Sequence, residues 1–190
     1  MNQNTSRIAA VIAGAGLLTT IAIGSGVGAS GGAVHAKAEI RSTSGAVIGF
    51  AKFTEDGTGR VHVNVKVDGL SEGLHGIHIH TVGNCASAPG PHSAAGGHFD
   101  PHATVTHGQN NINAATNGYH AGDLPNLVVD ADGRGVLNGE TNGATLTIGL
   151  DSLLDANGSA IVIHAAQDDL MTNPIGGSGA RIACGVIVAK

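Results

Sequence analysis

The segment Arg60–Val67 alternates strictly between valine and polar side chains. Successive side chains of a β-strand point to opposite faces, so this segment places one row of valines against a core. Turn dipeptides such as Asp68-Gly69 separate similar segments, and no ten-residue stretch combines helical periodicity with caps. We therefore expect an antiparallel, all-β sandwich or barrel of about eight strands. The other candidate strands are Lys37–Arg41, Val47–Phe53, Leu74–His80, Asn126–Val129, Val136–Glu140, Leu146–Leu150, Ile161–His164 and Ile182–Val188.

The N-terminus has the pattern of an export signal. A polar start with one cation, Arg7, precedes an uncharged apolar run, and Val34-His35-Ala36 offers small residues where a signal peptidase cleaves. The sequence thus predicts a signal peptide at 1–36 and a single mature domain at 37–190, periplasmic or extracellular. An uncleaved membrane anchor is the alternative, although the glycines and threonines of the run make a poor membrane helix. No membrane contact is expected beyond this leader.

Two cysteines, Cys85 and Cys184, lie 99 positions apart. In an oxidising compartment they can form one disulfide, which would add roughly 4–5 kcal/mol through the unfolded state. Thiolate metal ligands are the alternative, but neither cysteine has a partner at CxxC spacing and histidine is abundant. A structural disulfide is the favoured interpretation.

The net negative charge of the chain argues against anionic binding partners. The formal charge is −5, and loss of Arg7 with the leader takes it to −6. A negative protein is a poor partner for nucleic acid or an anionic membrane surface. Eleven histidines are present while aromatic residues make up 2% of the chain, so the core must be aliphatic.

Two segments interrupt the strand pattern, and functional residues are expected there. Thr81–Leu124 is too long for a hairpin and holds many of the histidines, while Ala165–Ala180 is rich in glycine and contains Asp168. A loop of such length needs to be fastened, and a disulfide and metal ions are the available means.

The pair His78 and His80 projects from one face of its strand, since residues i and i+2 share a face. On its own this pair suits a solvent-exposed face equally well, but further candidates follow in the long loop and at the end of an apolar strand. Seven ligand residues can fill two four-coordinate ions if one imidazole bridges through both ring nitrogens. Four nitrogens suit copper(II), and three nitrogens with a carboxylate suit zinc. The candidates are His78, His80, His98, His107, His120, Asp123 and His164.

Four motifs, in order along the chain, give this sequence a resemblance to the copper/zinc superoxide dismutase family. The match spans about residues 37–190. The motifs are Gly73-Leu74-His75-Gly76-Ile77-His78-Ile79-His80, Gly97-His98-Phe99-Asp100-Pro101, His120-Ala121-Gly122-Asp123-Leu124 and Gly179-Ala180-Arg181-Ile182-Ala183-Cys184-Gly185-Val186-Ile187.

The resemblance implies an eight-stranded Greek-key β-barrel, an immunoglobulin-like sandwich with two long functional loops. It implies a copper ion bound by His78, His80, His98 and His164, and a zinc ion bound by His98, His107, His120 and Asp123. It also implies that Asp168 hydrogen-bonds one ligand of each ion, that Cys85 and Cys184 form the family's disulfide, and that Arg181 guides the substrate anion.

The implied reaction is disproportionation of superoxide to dioxygen and hydrogen peroxide, with His98 taking up and delivering a proton. A cupin or a zinc hydrolase would need an acidic residue beside the HxH pair, which Thr81–Cys85 lacks. A non-enzymatic, dismutase-like copper/zinc-binding or metal-delivery protein is the remaining alternative. The sequence leaves a homodimer open.

The spacing between His107 and His120 is a departure from the family pattern, because it is longer than expected there. The extra residues, Gln109–Asn113, are expected to bulge outward at little cost. The other histidines receive structural roles: His62 lies on a strand's outer face, His75 bonds to backbone, and His92 and His102 lie in the loop outside the matched positions.

Overall fold

Alternating valines form a strand in the interior of the sheet. The computed structural model describes residues 34–87, 89–103, 106–108, 119–141 and 143–190. Within β3 (Val61–Asp68), the four valines are buried while Asn64 and Lys66 are exposed, as the period-two pattern predicts. The next two strands of the sheet, β2 (Val47–Glu55) beside β3 and β1 (Val34–Ser42) beside β2, also alternate, so one face of this three-stranded part meets the core.

All pairings between strands are antiparallel. Within the described residues, the helical element found is a single 3-10 turn, Ser93–Ala95. This confirms the all-β, barrel-like prediction. The remaining strands are β4 (Gly73–His75), β5 (Ile77–His80), β6 (Leu127–Val129), β7 (Arg134–Glu140), β8 (Ala160–His164), β9 (Arg181–Val186) and β10 (Val188–Ala189).

The sheet closes nearly into a barrel at Gly76. The strand order is β4-β6-β7-β3-β2-β1-β9-β8-β5, and β10 pairs with β1. The two ends of this order, β4 and β5, are consecutive in the chain and separated by Gly76 alone. The predicted single strand Leu74–His80 is therefore two strands, each completing one end of the sheet.

The core inside the barrel is aliphatic, as the composition requires. Phe53 is its one fully buried aromatic side chain among the described residues, and isoleucines, leucines and valines fill the rest. Each such side chain stabilises the fold by about 1.5–3 kcal/mol relative to exposure. Ile77 and Ile79 of β5 belong to this core, which fixes the direction of the two histidines between and after them.

The predicted strand at Leu146–Leu150 is wrong. This segment makes a bend, and Ile148 and Leu150 are 94% and 71% exposed. The physical reason is the buried carboxylate of Glu55, which accepts hydrogen bonds from the Leu146 and Thr147 backbone N–H groups at 2.5 and 2.7 Å. Those donors are thereby lost to any strand ladder.

The predicted leader lies mostly outside the described residues, which begin at Val34. β1 starts there, three residues before the predicted mature domain, and buried Ala36 pairs with Phe53 and Ala189. The folded barrel thus includes Val34, His35 and Ala36. Across the described parts of the chain, no helix is long and apolar enough to cross a membrane.

Candidate metal centre

The strand β5 supplies the first two histidines. Its isoleucines face the core, so His78 and His80 point to the other side, yet all four residues are buried. What buries the two histidines is the long loop, which returns to cover them. Their ring centroids lie 6.3 Å apart.

The long loop docks on β5 by strand-like hydrogen bonds. The Ile79 N–H donates to the Gly122 carbonyl and the Ile79 carbonyl accepts from the Phe99 N–H, both at 2.8 Å. Isolated bridges pair His78 with Asp123 and His80 with His98. A β-carbon at Gly122 would lie 2.2 Å from the Ile79 carbonyl oxygen, so only glycine permits this approach. Docking brings the loop ligands beside β5.

The strand β8 pairs with the other edge of β5 and ends at His164, which is 1% exposed. The backbone N–H of His164 donates to the Gly76 carbonyl at 2.8 Å. The barrel's closing point therefore also places the fourth histidine.

Four histidines converge in what we call the four-histidine group, namely His78, His80, His98 and His164. One nitrogen atom of each lies within 4.8 Å of the others. Every second ring nitrogen is engaged: His78 Nε2 donates to Asp168 (2.6 Å), His80 Nδ1 to the Gly96 carbonyl (2.9 Å), His98 Nδ1 bonds to Asp123 (2.8 Å) and His164 Nδ1 donates to the Gly179 carbonyl (3.1 Å).

The remaining nitrogens of the four-histidine group are buried and have no hydrogen-bond partner in the part of the chain described. They are His78 Nδ1, His80 Nε2, His98 Nε2 and His164 Nε2. Buried polar atoms normally find partners, so four orphaned lone pairs aimed into one space fit a metal ion. Four imidazole nitrogens are the donor set that suits copper(II).

The second group, the Asp123 group, consists of His98, His107, His120 and Asp123. The Nδ1 atoms of the three histidines lie 2.8, 3.1 and 3.3 Å from Asp123 Oδ1. All four residues are buried, and their donor atoms again lie within 4.8 Å. Three nitrogens and one carboxylate fit zinc. His98 belongs to both groups and offers a different nitrogen to each.

Asp168 links the two groups. Its Oδ2 accepts from His78 Nε2 at 2.6 Å, and its Oδ1 accepts from His107 Nε2 at 2.9 Å. Asn126 holds it through a reciprocal pair of side chain to backbone hydrogen bonds. A β-carbon at Gly176 would meet Asp168 Oδ1 at 1.8 Å, so glycine is needed there. Such outer contacts orient metal-binding imidazoles.

The two groups shift histidine pKa values in opposite directions. In the four-histidine group, burial lowers the pKa of His78 to about 3 and of His164 to about 4, and lowers those of His80 and His98 as well. These rings are therefore neutral, which is the ligand form. Burial also opposes a charge on His107, but hydrogen bonds to Asp123 and Asp168 outweigh it and raise its pKa to about 9.

The carboxyl groups of the site are ionised. Burial of Asp123 is outweighed by hydrogen bonds from His107, His120 and His98, so its pKa lies well below the usual range. Hydrogen bonds from His107 and His78 lower that of Asp168 in the same way. Ionised carboxylates are what a zinc ligand and an imidazole-orienting partner both require.

Arg181 lies at the start of β9, beside the loop that covers β5. Its guanidinium donates to the His92 carbonyl at 2.9 Å and to the Gly96 carbonyl at 2.6 Å. The Gly96 carbonyl is also the acceptor for His80 Nδ1. The Gly96 carbonyl therefore contacts both the Arg181 guanidinium and a ring of the four-histidine group.

The disulfide prediction is confirmed, since Cys85 and Cys184 are bonded. The remaining histidines have the structural roles expected of them. His75 bonds to the backbone carbonyls of Ser71 and His164, His62 pairs with Asp56 and Glu140, and His102 pairs with Asp151. Residues 109–118, with the predicted bulge, lie outside the described residues.

Three supporting residues were missed from the sequence. Asn126 anchors Asp168, the Asn173 side chain accepts from the His107 N–H at 3.0 Å, and His92 holds Arg181. Asparagines are common in loops, so their type and spacing do not single them out. The need for glycine at Gly122 could have been predicted, because this residue lies in a quoted motif directly before the candidate ligand Asp123.

The fold and the two groups define a β-barrel metalloprotein with a histidine shared between two candidate ion sites. A family model described as copper/zinc superoxide dismutase (SODC) matches residues 47–187. The chain belongs to this family. Copper and zinc are the family's cofactors, and the chain carries two residue groups able to hold them.

Named relatives support the assignment. The chain is 42% identical over 159 residues to a "Superoxide dismutase [Cu-Zn]" of Deinococcus radiodurans, covering 80% of this chain and 84% of the relative. It is 38% identical over 156 residues to one of Caulobacter vibrioides, with coverages of 80% and 84%.

A third relative carries a different name. The "Superoxide dismutase-like protein YojM" of Bacillus subtilis is 36% identical over 154 residues, covering 80% of this chain and 75% of the relative. A crystal structure of a SOD-like protein from Bacillus subtilis superposes with a TM-score of 0.71 at 35% identity, covering 80% of this chain and 97% of that one. The family thus includes proteins described only as dismutase-like.

Proposed function

We propose that this protein catalyses the disproportionation of superoxide. One superoxide anion is oxidised to dioxygen, and a second takes up that electron and two protons to give hydrogen peroxide. The observation that carries the proposal is the set of four buried, unpartnered imidazole nitrogens, one of them on a histidine shared with a second group.

The types of donor atom divide the residues between two ions. His78 Nδ1, His80 Nε2, His98 Nε2 and His164 Nε2 would hold copper, which supplies the one-electron redox chemistry when bound. The Nδ1 atoms of His98, His107 and His120 with Asp123 would hold zinc, which has no redox state to change.

His98 has the position of a proton carrier. Its Nδ1 is fixed toward Asp123 at 2.8 Å, so the ring cannot turn away when Nε2 changes partner. Nε2 is then the atom at which a proton is held and passed to the reduced substrate. Burial lowers the pKa of His98, which favours release of that proton.

Arg181 has the position of an anion guide. The two carbonyl contacts hold the guanidinium beside the loop over β5, within one peptide group of His80. The protein as a whole is negative, so a local cation is needed to attract superoxide. Such steering weakens as salt is added.

Metal reconstitution tests the proposal. The mature protein is stripped with a chelator, reloaded with zinc alone, copper alone or both, and assayed for superoxide decay. We expect turnover only where copper is present, and a higher rate with both ions. If fully loaded protein leaves superoxide decay at the rate of free buffer, the dismutase-like binding role is the correct one.

Export completes the proposal. The leader predicted at residues 1–36, followed by a disulfide-bonded domain, suits a periplasmic or extracellular enzyme. Because β1 includes Val34–Ala36, cleavage before Val34 would leave the barrel whole, so the boundary is the part of the proposal to measure. The N-terminal residue and mass of the protein recovered outside the cytoplasm test the boundary. Light scattering of the same preparation distinguishes a monomer from the homodimer that the sequence leaves open.

A further inference from the structure

His92 has an unusual backbone and a fixed side chain, although it belongs to neither metal group. It is 5% exposed and has a left-handed conformation with φ at 49°. A carbonyl can only accept, so His92 Nδ1 carries the proton in its 2.9 Å hydrogen bond to the Cys85 carbonyl. The His92 N–H donates to Ser87 Oγ at 3.1 Å.

These contacts fix the position of one particular atom, the His92 carbonyl oxygen. Its nitrogen is tied to Ser87 and its ring to Cys85, whose side chain is bonded to Cys184 of β9. The His92 carbonyl, held in this way, accepts a hydrogen bond from the Arg181 guanidinium at 2.9 Å. The left-handed conformation sets the direction in which it points.

Arg181 depends on two acceptors, and they are anchored in different ways. The Gly96 carbonyl also accepts from His80, so the four-histidine group holds it in place. The His92 carbonyl has no such support from the metal groups: it accepts from the Ala95 N–H at 3.3 Å, and its residue is held by the N–H bond to Ser87 and the imidazole bond to the Cys85 carbonyl. The imidazole bond is the side-chain restraint among these contacts, so its loss loosens one of the two acceptors of the guanidinium.

We propose that His92 is a positioning residue for Arg181, acting through its own backbone carbonyl. The inference rests on the proposed function in one respect, namely that Arg181 meets an anionic substrate. Its effect is on anion capture, while the metal ligands and the disulfide stay as they are.

Two substitutions at His92 separate the side-chain bond from the backbone conformation. Asparagine tolerates the left-handed region and carries an N–H near the place of His Nδ1, whereas glycine tolerates it without any donor. Ala94→Gly is the matched control, because it loosens the same loop and leaves both carbonyl contacts to Arg181. His92→Gln, with its N–H groups displaced from the Nδ1 position, replaces His92→Gly if that variant does not fold.

Azide is the probe, since it is a small anion that binds copper(II) without turnover. On copper- and zinc-loaded protein, His92→Gly is expected to raise the azide Kd about fivefold, which corresponds to about 1 kcal/mol, the net worth of one ordinary hydrogen bond. His92→Asn and Ala94→Gly should stay within about twofold of the native value. The second-order rate constant for superoxide should fall in parallel, with copper content unchanged.

A double-mutant cycle with Arg181→Gln decides whether His92 acts through the arginine. In that background His92→Gly should change the azide Kd by less than about twofold, because the guanidinium it positions is gone. An undiminished fivefold effect would overturn the inference, as would a native-like Kd for His92→Gly alone or for Arg181→Gln. If the azide Kd values follow the predicted cycle but the native protein has no superoxide turnover, the proposed function is refuted and the positioning role of His92 stands.

Discussion

The two metal groups are built on different parts of the molecule. Three of the four-histidine group, His78, His80 and His164, lie on β5 and β8, where neighbouring strands fix the backbone. In the Asp123 group every residue lies on the long loop, and the hydrogen bonds join three rings to one carboxylate oxygen.

The barrel strands therefore position most of the four-histidine group, whereas the charges of its own residues position the Asp123 group. Burial keeps the histidines of β5 and β8 neutral, and a hydrogen bond at one ring nitrogen of each leaves the other nitrogen, without a partner in the described part of the chain, turned toward the shared space. In the Asp123 group the ionised Asp123 holds the three histidine rings, and its hydrogen bond helps to raise the pKa of His107 to about 9. Disturbing each group should therefore have a different signature.

The largest expected effect is that of His80→Ala. Removing one of four nitrogens from a site that the strands hold rigid should lower copper affinity and superoxide turnover by at least about a thousandfold. Zinc content should stay near one per chain, since His80 is not in the Asp123 group. Metal analysis with a superoxide-decay assay measures both, and His102→Ala, at an exposed histidine paired with Asp151, is the control. Loss of both metals together would show that the groups are not independent.

Asp123→Asn should act on the other group. The amide keeps the shape but loses the charge that holds three histidines, so zinc affinity should fall about a hundredfold. Copper should remain bound at the four-histidine group, with turnover reduced less than in His80→Ala. Competition with a zinc chelator gives the affinity. A variant that kept native zinc affinity would mean that the loop, rather than this carboxylate, positions the rings.

Asp168→Asn tests the link between the groups. Its two carboxylate oxygens accept from His78 and His107, and an amide can accept from only one of them. Affinities for copper and zinc should both fall, by about 10–100-fold, as is typical of residues that orient metal ligands. Parallel titrations of metal-free protein with each ion measure this, and a change confined to one ion would contradict the linking role.

The smallest expected effect is on the pH dependence of metal-free protein. Burial depresses the pKa values of His78 and His164 to about 3 and about 4, so below the unfolded value of about 6.5 the unfolded chain binds more protons than the folded one. The free energy of unfolding should then fall with falling pH between about 6.5 and 4, by about 1.4 kcal/mol per pH unit for each histidine involved.

His107 gives the opposite limb of that profile. Its raised pKa contributes stability that is complete below about pH 6.5 and is lost as the pH rises through about 9. Urea unfolding of the metal-free protein from pH 4 to 10 measures both limbs. His107→Asn should flatten the alkaline limb alone, and a profile that stayed unchanged would contradict the assigned cause.

Much of the fold could be predicted, because valine alternation at Val61–Val67 and the turn dipeptides report directly on faces and strand ends. Leu146–Leu150 shows where this reasoning stops. Its alternation resembles that of a strand, but a carboxylate 91 positions earlier, Glu55, takes the backbone donors. Local sequence cannot reveal a competitor so far away.

The seven candidate ligand residues could be proposed from residue type and the HxH pattern of His78 and His80, while their division into two groups follows from the resemblance to the copper/zinc superoxide dismutase family. The contacts that support these residues could not be predicted. Asn126 and Asn173 bind backbone groups of residues distant in sequence, and the His92 carbonyl accepts from the Arg181 side chain, 89 positions away. Such partners become visible only when the loops are placed. The division of nitrogens, with Nδ1 of His78 free but Nε2 of its three companions, likewise depends on ring orientation.

The docking of the long loop on β5 has a consequence for self-association. The backbone groups of Ile79 that face away from β8 are satisfied by Phe99 and Gly122. The segment that supplies metal ligands thereby covers a strand edge that would otherwise be open to pairing with another chain. Any change that detaches residues 98–99 and 122–123 exposes that edge, so filament formation is the failure to look for in variants that lose their metals.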